Sequence, residues 1–270
     1  MPDTPFAKKS LGQHWLQDAA ALEAMCEAAE VQLNDDVLEI GPGFGSLTKH
    51  LLDWEAKVVA LEFDETLIPS LQQKFSVAAK TGQFQVVSGD IRTYDFTQMP
   101  VGYKVVANIP YYLTSNLIQL LSETTNPPQV AALLVQKEVA ERVAAQPGAM
   151  SILSVTAQFY WSVSLGIQVP AKLFSPPPKV DSQILILQRR PDTQLSQAEA
   201  KAFFRLVKAG FSQKRKTLLN SLSAGLQLEK SVVSELCAGA NVDTGRRAQT
   251  LSMDEWTKLY VGYQGLHLPC

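Results

Sequence analysis

Cysteine and histidine are scarce in this 270-residue chain, three of each, and neither type clusters. Cys26, Cys237 and Cys270 stand far apart, so the odd count and the spacing exclude a disulfide framework and supply no pair of metal ligands. Each reads as a small apolar residue rather than a reactive thiol. His14, His50 and His267 are equally dispersed, and no metal site is expected. No apolar run approaches the roughly 18 residues needed to span a bilayer. Met1-Pro2-Asp3-Thr4-Pro5 has neither a basic start nor an apolar core, which argues against a secretory signal and for an intracellular, cytoplasmic protein. An excess of one charge is also missing. The net charge is −2 and the pI near 6.0, which counts against a uniformly basic nucleic-acid-binding domain. A local basic stripe nevertheless neutralises phosphates on a globally acidic protein.

What is present is ordinary globular composition, 46% hydrophobic and 19% charged, in a chain long enough for one large domain and a smaller one. A basic, aromatic arm (Lys8 to Trp15) precedes a helix over Ala19 to Glu30. Short apolar strands then alternate with helices. Strands are expected at Val37 to Ile40, Val58 to Leu61, Gln85 to Val87, Lys104 to Ala107 and Val130 to Val135. Helices are expected at Ser46 to Trp54, Thr66 to Phe75, Thr114 to Leu121 and through Ala140. A helix over Ser151 to Tyr160 and strands at Leu165 to Val169 and Ser182 to Leu187 complete the region. Such alternation implies an α/β, Rossmann-like sheet covered on both faces, mostly parallel, with seven strands and one antiparallel edge strand. A linker falls at Gln188 to Gln197, dividing a catalytic domain (1–190) from a small all-α domain (191–270) with helices near 201–210, 217–222, 228–237 and 254–260. Trp54, Trp161 and Trp256 read as core.

The first expected strand runs into Gly41-Pro42-Gly43-Phe44-Gly45 and then directly into a helix. Glycines let backbone turn tightly and approach a ligand closely. Glu62, about twenty residues on and at the end of the second strand, suits the ribose hydroxyls of a nucleoside. A dinucleotide site wants G-x-G-x-x-G, and Ser46 stands where its third glycine would fall. Glu39, two positions before the loop, suits a ligand with an ammonium group and no phosphates. The pair favours S-adenosylmethionine over NAD. Asp90, closing the third strand, is placed to accept from the adenine amine of that cofactor.

Ala107-Asn108-Ile109-Pro110-Tyr111-Tyr112 follows the fourth strand. A purine amine is a poor nucleophile because its lone pair is delocalised into the ring. Two fixed acceptors, the Asn108 side-chain oxygen and the Pro110 carbonyl, would draw its N–H groups toward a pyramidal geometry. Tyr111 offers a face on which an extruded base stacks. Such a reaction depends on in-line positioning rather than on a general base.

These segments, together with Lys9-Ser10-Leu11-Gly12-Gln13-His14-Trp15-Leu16 and Phe174-Ser175-Pro176-Pro177-Pro178-Lys179-Val180-Asp181-Ser182, make the chain resemble the ribosomal RNA adenine N6,N6-dimethyltransferase family over nearly its whole length. The resemblance implies dimethylation of two adjacent adenosines in the 3′-terminal hairpin of small-subunit rRNA during ribosome biogenesis. It also implies cofactor contacts at His14, Leu16, Gly41, Gly43, Glu62, Asp90, Ile91 and Asn108. Phe174 matches a family aromatic that, with Tyr111, sandwiches the target base. One departure stands out: the family's Gln-Asn-Phe-Leu pattern here reads Gln-His-Trp-Leu, placing His14 where Asn is usual.

Basic residues concentrate at Lys8, Lys9, Lys172, Lys179, Arg189, Arg190, Lys208, Lys214, Arg215, Lys216, Arg246 and Arg247, the expected track for rRNA phosphates. Nothing demands more than a monomer. Three other readings stay open: a large-subunit rRNA adenine methyltransferase of the antibiotic-resistance type, a catalytically inactive ribosome-assembly or transcription factor, and an NAD-dependent dehydrogenase. The last lacks both the third glycine and a hydride-chemistry acid or base.

Overall fold

The structure, a computed structural model, describes residues 13–191 and 196–266. Lys8, Lys9, His267 and Cys270, and part of the arm motif, lie outside the described residues. The chain divides into two compact units. One is formed by the chain up to Glu141 with Trp161–Arg189, the other by Arg142–Tyr160 with the chain from Arg190 onward. The units are therefore not the contiguous stretches 1–190 and 191–270 that the linker composition suggests.

The first unit holds the sheet. A two-residue strand β1 (Trp15–Leu16) leads to α1 (Ala19–Ala28), whose first turn is capped by the Asp18 carboxylate accepting from Ala21 N at 2.9 Å. There follow β2 (Asp36–Ile40), α2 (Ser46–Asp53), β3 (Lys57–Glu62), α3 (Ile68–Lys74), α4 (Ser76–Lys80), β4 (Phe84–Ser88), β5 (Lys104–Asn108), α5 (Thr114–Glu123), β6 (Val130–Gln136) and α6 (Lys137–Val143). After α7 (Ile152–Tyr160) the chain returns through β7 (Trp161–Val169), β8 (Phe174–Ser175) and β9 (Ser182–Arg189).

Seven strands pair in the order β4-β3-β2-β5-β6-β9-β7, the first five parallel. β9 runs antiparallel between β6 and β7, so the antiparallel strand lies one place in from that margin of the sheet. Val37 to Ile40 and Val130 to Val135 are buried at every position, as expected for central strands covered on both faces. The helix expected over Thr66 to Phe75 is α3, which starts two residues later and ends one residue earlier. A short turn at Glu65–Leu67 precedes α3, and Phe75 (φ −107°, ψ 25°) separates α3 from α4. The strand expected from Leu165 begins at Trp161, immediately after α7. Trp161 is buried, its indole N–H donating to Ser122 Oγ at 2.7 Å. Trp54 is only half-buried and donates to Glu23 at 2.9 Å.

β1 and β8 form a separate antiparallel ribbon, Leu16 opposite Phe174 and Trp15 opposite Ser175. Two residues per strand are too few for an alternation pattern, so this pairing left no signal in the sequence. It fastens the arm to the proline-rich loop.

The second unit is helical among the described residues: α7, then α8 (Gln197–Phe211), α9 (Leu218–Leu226), α10 (Lys230–Gly239) and α11 (Met253–Gln264). Ser196 and Ser252 begin α8 and α11 with capping boxes closed by Glu199 and Glu255. α7 belongs here because Phe159 stacks on Phe203 with centroids 4.4 Å apart, and Met150 and Val155 join the same buried cluster as Leu206, Leu222 and Trp256.

Candidate active site

The carboxyl ends of β2, β3, β4 and β5 point into one cavity, bounded by the loops that follow them and by the arm. Open parallel sheets place ligands here, where the connections diverge. Of the residues singled out in the sequence, His14, Leu16, Gly41, Gly43, Glu62, Asp90, Ile91, Asn108, Pro110 and Tyr111 all line it. Phe174 does not. It is buried in β8 among Leu16, Val169 and Ile184, in the apolar core.

The glycine loop is held from both sides. Gly43 (φ +56°) leaves room for Trp15, whose ring a Cβ there would meet at 3.2 Å. Trp15 in turn packs on Phe44 with centroids 4.4 Å apart. Lys74 of α3 donates to the Phe44 carbonyl at 2.6 Å, and its burial lowers its pKa. The loop is thus shaped before any ligand arrives.

Glu62 is buried and oriented through both oxygens. Oε2 accepts from Gly43 N at 3.0 Å and Oε1 from Asp64 N at 2.8 Å. Burial raises its pKa, and the two backbone N–H bonds oppose that rise. Each oxygen keeps a further acceptor direction, which suits a vicinal diol. Glu39 is more deeply enclosed. Thr48 Oγ1 donates to Oε2 at 2.6 Å, and Oε1 is buried with no hydrogen-bond partner among the described residues. Burial pushes its carboxyl up to about 8. An orphaned carboxylate oxygen in a cavity with a diol-binding carboxylate fits a nucleoside bearing a cationic tail.

Asp90 is less available than its position suggests. Its carboxylate accepts from Arg92 N at 2.9 Å and pairs with the Arg92 guanidinium, which holds its pKa below the usual carboxylate range. At the end of β5, Asn108 Nδ2 donates to the His14 backbone carbonyl at 3.3 Å. The Pro110 carbonyl already accepts from Leu113 N at 3.0 Å in the turn that follows, which leaves it one lone pair. Tyr111 is half-buried. Its hydroxyl shares a 2.7 Å hydrogen bond with Ser182 Oγ, and its ring lies nearly parallel to His14 (20°, centroids 6.1 Å apart). His14 Nδ1–H donates to the Pro176 carbonyl at 2.7 Å, joining the arm to the proline-rich loop a second time.

Among the cavity residues not named as site residues from the sequence are Trp15, Phe63, Arg92 and Tyr112. Phe63 and Tyr112 are exposed aromatics (55% and 64%), and their adjacency to Glu62 and Tyr111 was the available signal. Of the basic residues, Arg189 lies over the Trp161 ring, Arg190 donates to Gln158 O and Arg246 pairs with Glu255, so these three serve the fold. Lys172 and Lys179 in the first unit, and Lys208, Lys214, Arg215, Lys216 and Arg247 in the second, are exposed. Among the described residues no cluster of His, Cys, Asp or Glu has metal-binding geometry, and no helix is long and apolar enough to cross a membrane.

Comparison with known proteins gives consistent relatives. The family described as "Ribosomal RNA adenine dimethylase" matches residues 6–259. A "Ribosomal RNA small subunit methyltransferase A" of Dehalococcoides mccartyi (strain CBDB1) is 40% identical over 262 residues, 96% of this chain and 89% of that protein. A solved dimethyladenosine transferase from Plasmodium falciparum is similar with TM-score 0.78 and 28% identity, covering 93% of this chain and 98% of that one. The solved 23S rRNA methyltransferase ErmE follows, with TM-score 0.75 and 28% identity over 93% and 99%.

Proposed function

The chain belongs to the ribosomal RNA adenine dimethylase family, and from that premise we propose that it dimethylates the N6 amines of two adjacent adenosines in the 3′-terminal hairpin of small-subunit rRNA. It is an S-adenosylmethionine-dependent rRNA adenine dimethyltransferase. The finer reading makes it a monomer that acts in the cytoplasm during ribosome biogenesis. The observation that carries the chemistry is the turn of the Asn108 amide. With Nδ2 committed to the His14 carbonyl, Oδ1 is the atom left to accept from a substrate amine.

The bound cofactor supplies an electrophilic methyl group on a sulfonium. The residues present fit it: Glu62 for the ribose hydroxyls, Gly41 and Gly43 for close backbone approach, Ile91 for the adenine, with Asp90 beside it once its carboxylate turns from Arg92, and Leu16 and His14 along the arm. Glu39 has the orphaned oxygen for the cationic end. Asn108 Oδ1 and the remaining lone pair of Pro110 O accept the two N–H groups of the target amine and draw its lone pair out of conjugation. Tyr111 presents a ring face to the base, held by Ser182. Phe174 completes the base site only if β8 shifts away from Leu16, since its ring is now in the core. After one methyl transfer a single N–H remains, so one acceptor suffices for the second.

Lys214, Arg215 and Lys216, consecutive and exposed between α8 and α9, are the proposed phosphate contacts of the helical unit. The 40% identity to a relative named as a small-subunit enzyme favours the small subunit. Labelled methyl transfer to unmethylated small and large ribosomal subunits tests the proposal, with Asn108→Ala alongside. Label as N6,N6-dimethyladenosine on small subunits only, lost in the variant, is the expected result. Label on large subunits alone moves the substrate. No label with tight subunit binding makes the chain a binding factor.

A further inference from the structure

Glu39 is a carboxyl group with no obvious structural partner for half of itself. It sits at 1% exposure near the end of β2, with strand neighbours Ala60 and Val106, neither charged. Thr48 of α2 satisfies Oε2, while Oε1 is sealed from solvent with no donor among the described residues, and the side chain borders the cavity. A bare carboxylate oxygen in such a place is strongly disfavoured, whereas a protonated carboxyl is tolerated. The charged groups that act on it come from two further elements. Glu62 on β3 opposes its ionisation and Lys74 on α3 favours it, while the uncharged Cys26 thiol on α1 is pushed up by its own burial first and by Glu23 and Glu39 after it. Lys74 is itself turned to the Phe44 carbonyl. No cation of this chain forms a salt bridge with Glu39 among the described residues.

We propose that cofactor binding is proton-linked at Glu39: the carboxyl is neutral in the free protein and releases its proton when the ammonium of the cofactor's amino-acid end enters beside it. The inference rests on the S-adenosylmethionine reading above and deepens it. The balance is simple. Glu39–COOH and a ligand ammonium become Glu39–COO⁻ paired with that ammonium, and one proton leaves to solvent. Burial supports the free-state half of the exchange, holding the carboxyl up to about 8. The empty site then carries no unpaired buried charge, and the filled site holds a pair.

Isothermal titration in buffers of different ionisation enthalpy counts the protons released on binding, without turnover. At pH 7 the wild-type protein is expected to release about one proton per S-adenosylhomocysteine bound. Methylthioadenosine, which lacks the amino-acid end, is expected to release none. Glu39→Gln, nearly isosteric and still able to accept from Thr48, is expected to bind S-adenosylhomocysteine with that proton absent from the count. Wild-type affinity is expected to rise about tenfold per pH unit below pH 8 and to level off above it. Equal proton counts for wild type and Glu39→Gln, or for the two ligands on the wild type, overturn the inference. If the variant does not fold, the two-ligand comparison on the wild type decides alone. Failure of the wild type to bind either S-adenosylhomocysteine or S-adenosylmethionine overturns the cofactor reading instead.

Discussion

The carboxamide of Asn108 is oriented by the backbone of His14, through a 3.3 Å hydrogen bond from Nδ2 to the carbonyl oxygen. A catalytic group at the end of β5 therefore depends on an arm residue 94 positions earlier. The arm residue is itself tied to Pro176 through its ring.

Asn108→Ala removes the acceptor and is expected to lower kcat for methyl transfer by about 100- to 1000-fold, a typical loss for one aligned polar group in a preorganised site. Asn108→Asp retains an oxygen but opposes a carboxylate to the His14 carbonyl, so its loss is expected to be similar. Single-turnover kinetics on small subunits measures both.

His14→Ala removes the hydrogen bond to Pro176 and frees the arm. A loss of about 1 kcal/mol of positioning, roughly fivefold in kcat, is expected, with His14→Asn recovering part of it by restoring a donor. A pure cofactor-contact role for His14 predicts a different split, with cofactor Kd weakened and kcat unchanged.

Tyr111→Phe keeps the ring face and loses the hydroxyl bond to Ser182 Oγ at 2.7 Å. Stability should fall by about 1 kcal/mol with methylation retained. Tyr111→Ala loses the face as well, and the substrate KM is expected to rise by the equivalent of about 1–3 kcal/mol of stacking. Equal activity in the two variants removes Tyr111 from base binding.

Gly45→Ala and Gly82→Ala separate two costs of the left-handed backbone. Both glycines have positive φ (+74° and +79°). A Cβ at Gly45 falls 2.5 Å from the Phe75 ring, and one at Gly82 meets nothing within 4 Å. Urea denaturation should show Gly82→Ala costing about 1–2 kcal/mol from backbone conformation. Gly45→Ala is expected to cost about 1–3 kcal/mol more from overpacking.

Glu39→Gln is expected to stabilise the cofactor-free protein at neutral pH. Between the ordinary carboxylate pKa of 4.5 and the folded value of about 8, the folded chain keeps a proton that the unfolded chain has released. Wild-type stability should therefore fall, relative to the variant, by up to about 1.4 kcal/mol per pH unit across that window. Below pH 4.5 the difference between the two proteins should no longer change with pH. Thermal melts from pH 4 to 9 check this, and a difference that grows toward acid contradicts it.

What could be read from the sequence was whatever has a period or a demanding backbone. The strands around Val37, Lys104 and Val130, the loop from Gly41 to Gly45 and the Asn108-to-Tyr111 turn all carry such signals, and the structure brings the loop and the turn to one cavity. Tertiary pairings without local pattern were not readable. The Leu16–Phe174 ribbon is too short to alternate. The packing of the Phe75 ring against Gly45, a residue thirty positions away, is likewise tertiary. Asp90 and Arg246 looked available in sequence but spend their charge on Arg92 and Glu255, because a nearby partner outcompetes a ligand not yet bound. Membership of residues 142–160 in the helical unit was hidden for a related reason. α7 is amphipathic whichever core receives it, and its tertiary contacts, the Phe159–Phe203 stack and the burial of Val155 among them, identify that core.

The position of β9 bears on how a ribosome can make this protein. Strand β7 pairs only with β9 among the described strands, and β9 also covers the open side of β6. Both strands leave the exit tunnel before the one that joins them. Until residue 189 has emerged, the nascent chain holds five parallel strands with β6 uncovered and a nine-residue β7 without a neighbour. Sheet closure is therefore a late event in synthesis, and the interval before it is when the unpaired strands most need shielding from other chains.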